Sequence, residues 1–175
     1  DLGVLFQRLK DYGIDEKTIV FFTSDNGPHR EGGNNSDFND SNGPLKGVKR
    51  DLTEGGIRVP MIVRWPGRVK PGTLSGEPVV SMDFYPTFLE VAGLKPTGNK
   101  PIDGESLVSL FQQTGKPKRG ELFFHFPNYA WHMDNRLGGA VRAGDHKLIR
   151  NYDDGSVELY NLKSDLSETT NLAKR

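Results

Sequence analysis

Thr18-Ile19-Val20-Phe21-Phe22-Thr23-Ser24-Asp25-Asn26-Gly27-Pro28-His29 decides the fold. Ile19 to Phe22 is a continuous β-branched and aromatic run, the composition of a strand buried on both faces as in a parallel sheet. The run stops at a polar turn, and in open α/β sheets ligands bind at the carboxyl ends of the strands. Just upstream, Leu2, Leu5, Phe6 and Leu9 fall at i, i+3, i+4 and i+7, the stripe of an amphipathic helix, and Gly13 sits where a left-handed C-cap is wanted. Helix followed by buried strand predicts an α/β arrangement.

Downstream, residues 30–44 contain almost nothing apolar and read as a long exposed loop, a type that is often functional. Val59 to Trp65 reads as a second strand, with Pro60 near its start where a missing amide donor is tolerated, and Pro66-Gly67 breaks it. Ser81 or Asp83 caps a helix through Ala92, with Pro86 in its first turn, Gly93 closing it, and Phe84, Phe88, Leu89 and Val91 as its buried side. Leu107, Leu110 and Phe111 suggest a shorter helix ending at Thr114-Gly115.

The character then changes. Glu121–Phe126, Ala140–Ala143, Lys147–Asn151 and Val157–Leu162 are short strand-like runs separated by turn residues, including Gly144-Asp145 and Asp154-Gly155, and predict a small antiparallel sheet. The expected organisation is an α/β part over 1–115, a Gly/Pro/Lys-rich link from Gly115 to Gly120, and an α+β appendage over 121–175.

A chain of 175 residues accommodates this plan. With 34% hydrophobic and 26% charged residues the composition is globular, which excludes a disordered or collagen-like chain. Twenty-three Lys and Arg balance 23 Asp and Glu, removing any global electrostatic argument for nucleic acid or an acidic membrane surface. No apolar run approaches the roughly 20 residues that cross a bilayer, and no signal-peptide pattern opens the chain. The absence of Cys excludes disulfides, thiolate metal sites and cysteine nucleophiles. Because the sequence starts at Asp1 in what reads as mid-element, a longer parent polypeptide is expected.

Local chemistry is concentrated in two places. Asp25 and Asn26 are adjacent oxygen donors of the type a hard divalent cation prefers; taken alone, an Asx turn with Gly27-Pro28 is the simpler account of them. Between Leu45 and Lys70 there are seven basic residues (46, 49, 50, 58, 64, 68, 70) against Asp51 and Glu54. Lys46, Lys49, Arg50 and Arg58 cluster around Gly47 and Glu54-Gly55-Gly56, where backbone without side chains would let cations approach a sulfate or phosphate ester. A solvated basic face is the alternative, and neither standard Gly-rich phosphate loop is present.

Asp37, Asn39 and Ser41 alternate as at the start of an EF-hand, but Asn42 and Val48 stand where Gly and Glu are required. Asn34-Asn35-Ser36 and Asn39-Asp40-Ser41 satisfy the glycosylation pattern formally. Of the four histidines, His125 lies among aromatics and suits a core or a functional role, His132 and His146 read as exposed, and none has a zinc spacing with another.

In succession these segments resemble the type I sulfatases, the arylsulfatase family of the alkaline phosphatase superfamily, in their C-terminal portion. Thr18 to Gly27 is similar to the strand and metal-binding turn of that family. Leu45-Lys46-Gly47-Val48-Lys49-Arg50-Asp51-Leu52-Thr53-Glu54-Gly55-Gly56-Ile57-Arg58-Val59-Pro60 resembles its second signature, followed by Trp65-Pro66-Gly67. Asp83 to Phe88, Asp103 to Leu107, Leu159 to Leu162 and Asn171 to Ala173 resemble later landmarks.

The resemblance implies a fold, α/β, that is the C-terminal part of an alkaline-phosphatase-like sandwich plus a small α+β subdomain with a four-stranded antiparallel sheet. It implies Asp25 and Asn26 as ligands of Ca2+, Lys49 as the catalytic lysine on the sulfate oxygens, and His29, Lys46, His125 and Tyr129 as substrate-binding residues. The family nucleophile is a formylglycine made from Cys or Ser in a Cys/Ser-x-Pro-x-Arg motif, which this sequence lacks, as it lacks the remaining metal ligands. The expectation is a fragment of a sulfatase, inactive alone, partnered by the missing N-terminal part and acting on a sulfate ester such as a sulfated carbohydrate. Periplasmic, secreted or lysosome-like location is what the resemblance suggests. The alternatives are a phosphoric or phosphonic ester hydrolase of the same superfamily, and a non-catalytic module binding an anion or a sulfated glycan.

Overall fold

A computed structural model describes residues 1–99, 101–128 and 136–174. The chain divides into two compact units, one made of Asp1–Phe22 and Met61–Lys118, the other of Thr23–Pro60 and Arg119–Arg175.

In the first unit, helix α1 (Leu2–Asp11) begins where the Asp1 carboxylate accepts the Gly3 amide at 3.0 Å, a side-chain N-cap, and Gly13 follows at φ +67°. Strands β1 (Val20–Thr23) and β2 (Met61–Arg64) form a two-stranded sheet. Within this chain the strand expected from Ile19 to Phe22 is covered on one face. Phe21 packs edge-on against Phe84, Phe88 and Phe111, whereas Phe22 is 49% exposed. Alternate residues of a strand face opposite ways, and among the described residues the aromatic helix contacts are on the Phe21 side. The α1 stripe is likewise only partly covered: Phe6 lies under the Arg64 guanidinium at 5.3 Å from the ring centre, and no residue of α1 is fully buried.

Helix α3 (Phe84–Val91) follows a 3-10 turn at Ser81–Asp83, and α4 (Val108–Phe111) comes later. Its fully buried residue is Thr87 rather than one of the expected apolar set, and Phe88 is 47% exposed. The Thr87 hydroxyl donates to the Asp83 carbonyl at 2.6 Å and accepts the Leu107 amide at 2.9 Å, while the Asp83 carboxylate accepts the amides of Val80 and Glu105, each at 3.0 Å. Two buried polar side chains thus splice α3 to the 104–107 segment by satisfying backbone donors that would otherwise be stranded.

In the second unit, β3 (Glu121–Phe126), β4 (Gly138–Ala143), β5 (His146–Asn151) and β6 (Val157–Asn161) form the expected four-stranded antiparallel sheet in sequential order. Its registers pair Phe124 with Ala140, Ala140 with Ile149 and Leu148 with Leu159. Ala140, Ile149, Tyr160 and Leu162 make the core, with Leu52 and Phe124 packed against it, so segment 23–60 helps close one sheet face. The β6 edge is occupied by the tail: Asn171 accepts the Leu159 amide at 3.0 Å and donates to the Val157 carbonyl at 3.3 Å. A short helix, α2 (Glu54–Ile57), has no counterpart in the sequence reading, because two of its four residues are Gly.

Candidate functional site

Three backbone segments of the second unit are stitched together around the two signatures. The Lys49 amide donates to the Pro28 carbonyl at 2.8 Å, the Gly27 amide to the Gly56 carbonyl at 3.0 Å, and the Gly55 amide to the Lys46 carbonyl at 2.7 Å. The turn carrying Asp25 and Asn26 is therefore bonded directly to the Lys49 loop and to α2. Glycine is required here by contact. A Cβ on Gly27 would lie 1.8 Å from the Gly55 carbonyl oxygen, one on Gly55 2.3 Å from that of Gly47, and one on Gly56 2.2 Å from that of Asp51. These glycines bring backbone against backbone, instead of opening an approach for an anion as the sequence had suggested. Gly47, at φ +86°, turns the chain where a Cβ would meet the Thr53 hydroxyl at 2.1 Å.

Asp25 is exposed and Asn26 half-buried. The Asn26 amide group donates to the Gly27 carbonyl at 2.9 Å, which holds the side chain and leaves its own carbonyl oxygen as an acceptor. Among the described residues, neither the Asp25 carboxylate nor the Lys49 ammonium engages a protein partner. A carboxylate and an amide oxygen on one turn suit a hard cation, but they are two donors where calcium takes six to eight. No group of three or more His, Cys, Asp or Glu suited to a metal occurs among the described residues. The residues fit a calcium ion as part of a ligand set.

His29 is exposed, and its Nδ1 accepts the Glu31 amide at 3.2 Å, so the neutral ring carries its proton on Nε2 and can donate there. Lys46 is engaged elsewhere: its ammonium lies 3.3 Å from the Glu168 carbonyl, 3.5 Å from the Tyr160 hydroxyl and 5.4 Å from the centre of the Tyr160 ring. It ties the loop to the C-terminal tail. Arg50, at φ +81°, is paired with Glu31, which ties the polar 30–44 loop to the Lys49 loop, and Arg30 pairs with Asp37 at 3.1 Å within it.

His125 lies on β3 directly opposite Gly139 of β4, and its Nδ1 is 3.0 Å from the Tyr152 hydroxyl. A Cβ at position 139 would meet that hydroxyl at 2.5 Å, so the glycine makes room for the pair. Tyr152 was not anticipated; the glycine facing His125 across the ladder was its available signal. Tyr129 lies outside the described residues, as does His132.

Beneath these loops lies a charge cluster that no sequence pattern announced. Lys147 of β5, 1% exposed, places its ammonium 3.0 Å from the Glu54 carboxylate and 2.9 Å from that of Glu168. Glu168 also accepts the Glu54 amide at 2.7 Å. Burial pushes the Glu168 carboxyl up from its ordinary value, against the opposing pull of Lys147 and the Glu54 amide. The Tyr160 hydroxyl donates to Glu158 at 2.5 Å, and burial with that carboxylate beside it pushes the phenol up.

Comparison with known proteins places this arrangement. The family described as N-sulphoglucosamine sulphohydrolase, C-terminal, matches residues 48–175. A sulfatase of Formosa agariphila is 41% identical over 172 residues, covering 91% of this chain and 29% of that protein. Human arylsulfatase A is 37% identical over 150 residues, covering 83% and 27%. A solved protein in complex with its substrate D-glucosamine-2-N,6-O-disulfate superposes with a TM-score of 0.80 at 28% identity, over 99% of this chain and 33% of that one. The solved protein i-CgsB, bound to k-i-k-neocarrahexaose, gives 0.80 at 31% identity, over 98% and 36%. A phosphonate monoester hydrolase from Silicibacter pomeroyi, at 20% identity and a TM-score of 0.71 over 99% and 34%, shares the fold. The chain thus spans roughly a third of the length of the proteins it matches, and its fold is that of the alkaline-phosphatase-like sulfatases. It belongs to the sulfatase family, as part of the region that the N-sulphoglucosamine sulphohydrolase C-terminal family describes.

Proposed function

We propose that this chain contributes one half of the active site of a sulfatase that hydrolyses sulfate esters. The observation that carries the reading is the stitched pair of turns: Asp25-Asn26 and Lys49 are joined through the Lys49 amide and the Pro28 carbonyl, and each charged group is left without a protein partner among the described residues. In this reading the Lys49 ammonium bonds the nonbridging sulfate oxygens and stabilises the charge that grows on them in the transition state. His29 donates from Nε2 to the ester. Asp25 and Asn26 hold a calcium ion, which when bound supplies fixed positive charge against the sulfate group. The nucleophile, a formylglycine, and the remaining metal ligands belong to parts of the enzyme outside this sequence, and the isolated chain does not turn over substrate.

A sulfated carbohydrate is the proposed substrate class, supported by the sugar complexes of the two similar solved structures. His125 and Tyr152, an exposed aromatic pair on the sheet, are suited to receive part of such a substrate.

The test is Lys49→Ala in the full-length enzyme. Removal of a donor that acts on developing charge costs on the order of 10²- to 10³-fold in kcat, and near-normal turnover of an aryl sulfate removes the assignment. Running a phosphate and a phosphonate monoester beside the sulfate decides the substrate class: faster turnover of either phosphorus ester overturns the sulfatase reading in favour of the sister activity.

A further inference from the structure

We infer that Lys147 and Glu168 are positioning residues for the Lys49 loop, acting on it through Glu54. The inference rests on the function proposed above and adds to it two residues roughly 100 positions downstream of the signature.

The loop from Lys46 to Glu54 is held at both ends by one tail residue. At its start, the Lys46 ammonium bonds the Glu168 carbonyl at 3.3 Å; at its end, the Glu54 amide bonds the Glu168 carboxylate at 2.7 Å. That amide is the first of α2, where no intrahelical acceptor exists, and Thr53 supplies no side-chain cap, so Glu168 caps the helix from a distant part of the chain. Lys147 then fixes both carboxylates, reaching Glu54 at 3.0 Å and Glu168 at 2.9 Å, with all three side chains at most 2% exposed. The second Glu54 oxygen is turned toward Arg58 at 3.4 Å and Arg142 at 3.9 Å.

Such a cluster is poorly explained as a source of stability. Desolvating buried ions costs about as much as their attraction returns, and apolar replacements of whole clusters are often neutral or better. What the cluster does supply is direction. The Lys147 hydrogen bond to Glu54, its ion pair with Glu168 and the Glu54 amide bond to Glu168 define where α2 begins, and α2 holds Gly55 on the Lys46 carbonyl and Gly56 on the Gly27 amide. The antiparallel sheet thereby sets the spacing between the Asp25-Asn26 turn and Lys49.

A double-mutant cycle in the full-length enzyme tests this. Lys147→Met alone should lower kcat/KM by ~10- to 100-fold, per folded enzyme, and in a Lys49→Ala background should cost less than ~3-fold, because the loss is transmitted through Lys49. Glu168→Gln, which keeps an acceptor for the Glu54 amide, decides the matter if Lys147→Met does not fold: it should show the same non-additivity, with faster hydrogen exchange at the Lys49 amide. A purely structural cluster would instead lower thermal stability and leave losses that multiply. Multiplying losses, with Lys49→Ala itself severe, overturn the positioning role alone. An innocuous Lys49→Ala overturns the functional reading and this inference together.

Discussion

Replacing Gly27 by Ala should impair the enzyme through backbone contact alone. The new methyl would stand 1.8 Å from the Gly55 carbonyl oxygen, 2.9 Å from the carbonyl carbon and 3.1 Å from the Gly56 Cα, all of them backbone atoms that cannot rotate away. Ordinary contact begins near 3.4 Å, so the Asp25-Asn26 turn and α2 must part by about 1.5 Å. Overpacking of this kind costs about 1–3 kcal/mol. Losing the Gly27 amide to Gly56 carbonyl bond at 3.0 Å adds about 1 kcal/mol. The functional cost is larger in proportion: the turn carries Asp25 and α2 ends the loop that carries Lys49, so on the proposed function the two groups shift against each other, and a misplacement of about 1 Å in a reacting constellation costs on the order of 10²-fold. The assay is kcat/KM of the full-length enzyme on a chromogenic aryl sulfate, with Gly76→Ala as control because a Cβ there meets nothing within 4 Å. If Gly27→Ala and the control fall within ~3-fold of each other, the claim that backbone contact sets the spacing of the site is wrong.

Thr87→Val keeps the shape of a fully buried side chain but leaves the Leu107 amide without its acceptor, so unfolding should become easier by about 1–3 kcal/mol, and exchange at the Leu107 amide should quicken; unchanged exchange there would refute the splice. The tail and the β5–β6 turn should loosen in acid. Hydrogen bonds from the Ser156 hydroxyl and amide, with Arg136, hold the Asp154 carboxyl down to about 2, and the Thr169 and Thr170 amides hold Asp165 below its ordinary value. A lowered carboxyl contributes stability that is complete above its unfolded value near 4 and is lost as pH falls through the lowered one. Carbon-13 titration should therefore find the Asp154 midpoint near 2; a midpoint near 4 contradicts the geometry.

The sequence disclosed those elements whose signal is periodic or punctuated. Glu121–Phe126 was legible to the residue as a short strand-like run between turn residues, and Gly144 and Gly155, at φ +57° and +67°, marked both later hairpins. Phe22 shows that a hydrophobic run carries no information about which layers cover it: within this chain, about a third of its relatives' length, the aromatic helix contacts are on the Phe21 side of β1. The two signature segments could be singled out in the sequence, yet the meaning of their glycines could not. A glycine that serves close backbone contact and one that bares the backbone to an anion look identical in sequence, and the difference lies in whether another strand of chain arrives within 3 Å.

The same limit governs the buried charges. Lys147 reads as one more solvated base on an alternating strand, and Glu168 as one more acid in a polar tail, because burial of an ion depends on partners that sequence separation hides: Glu54 is 93 positions from the first and 114 from the second. What could have raised suspicion is local arithmetic. Lys147 falls on the side of β5 that carries Ile149, in register with Tyr160, so the strand's period already places an ammonium among core residues. A charge at an inward position must find countercharges, and in the described part of this unit those come from the signature helix and the tail at once. That necessity, rather than proximity to substrate, ties the small sheet to the lysine loop.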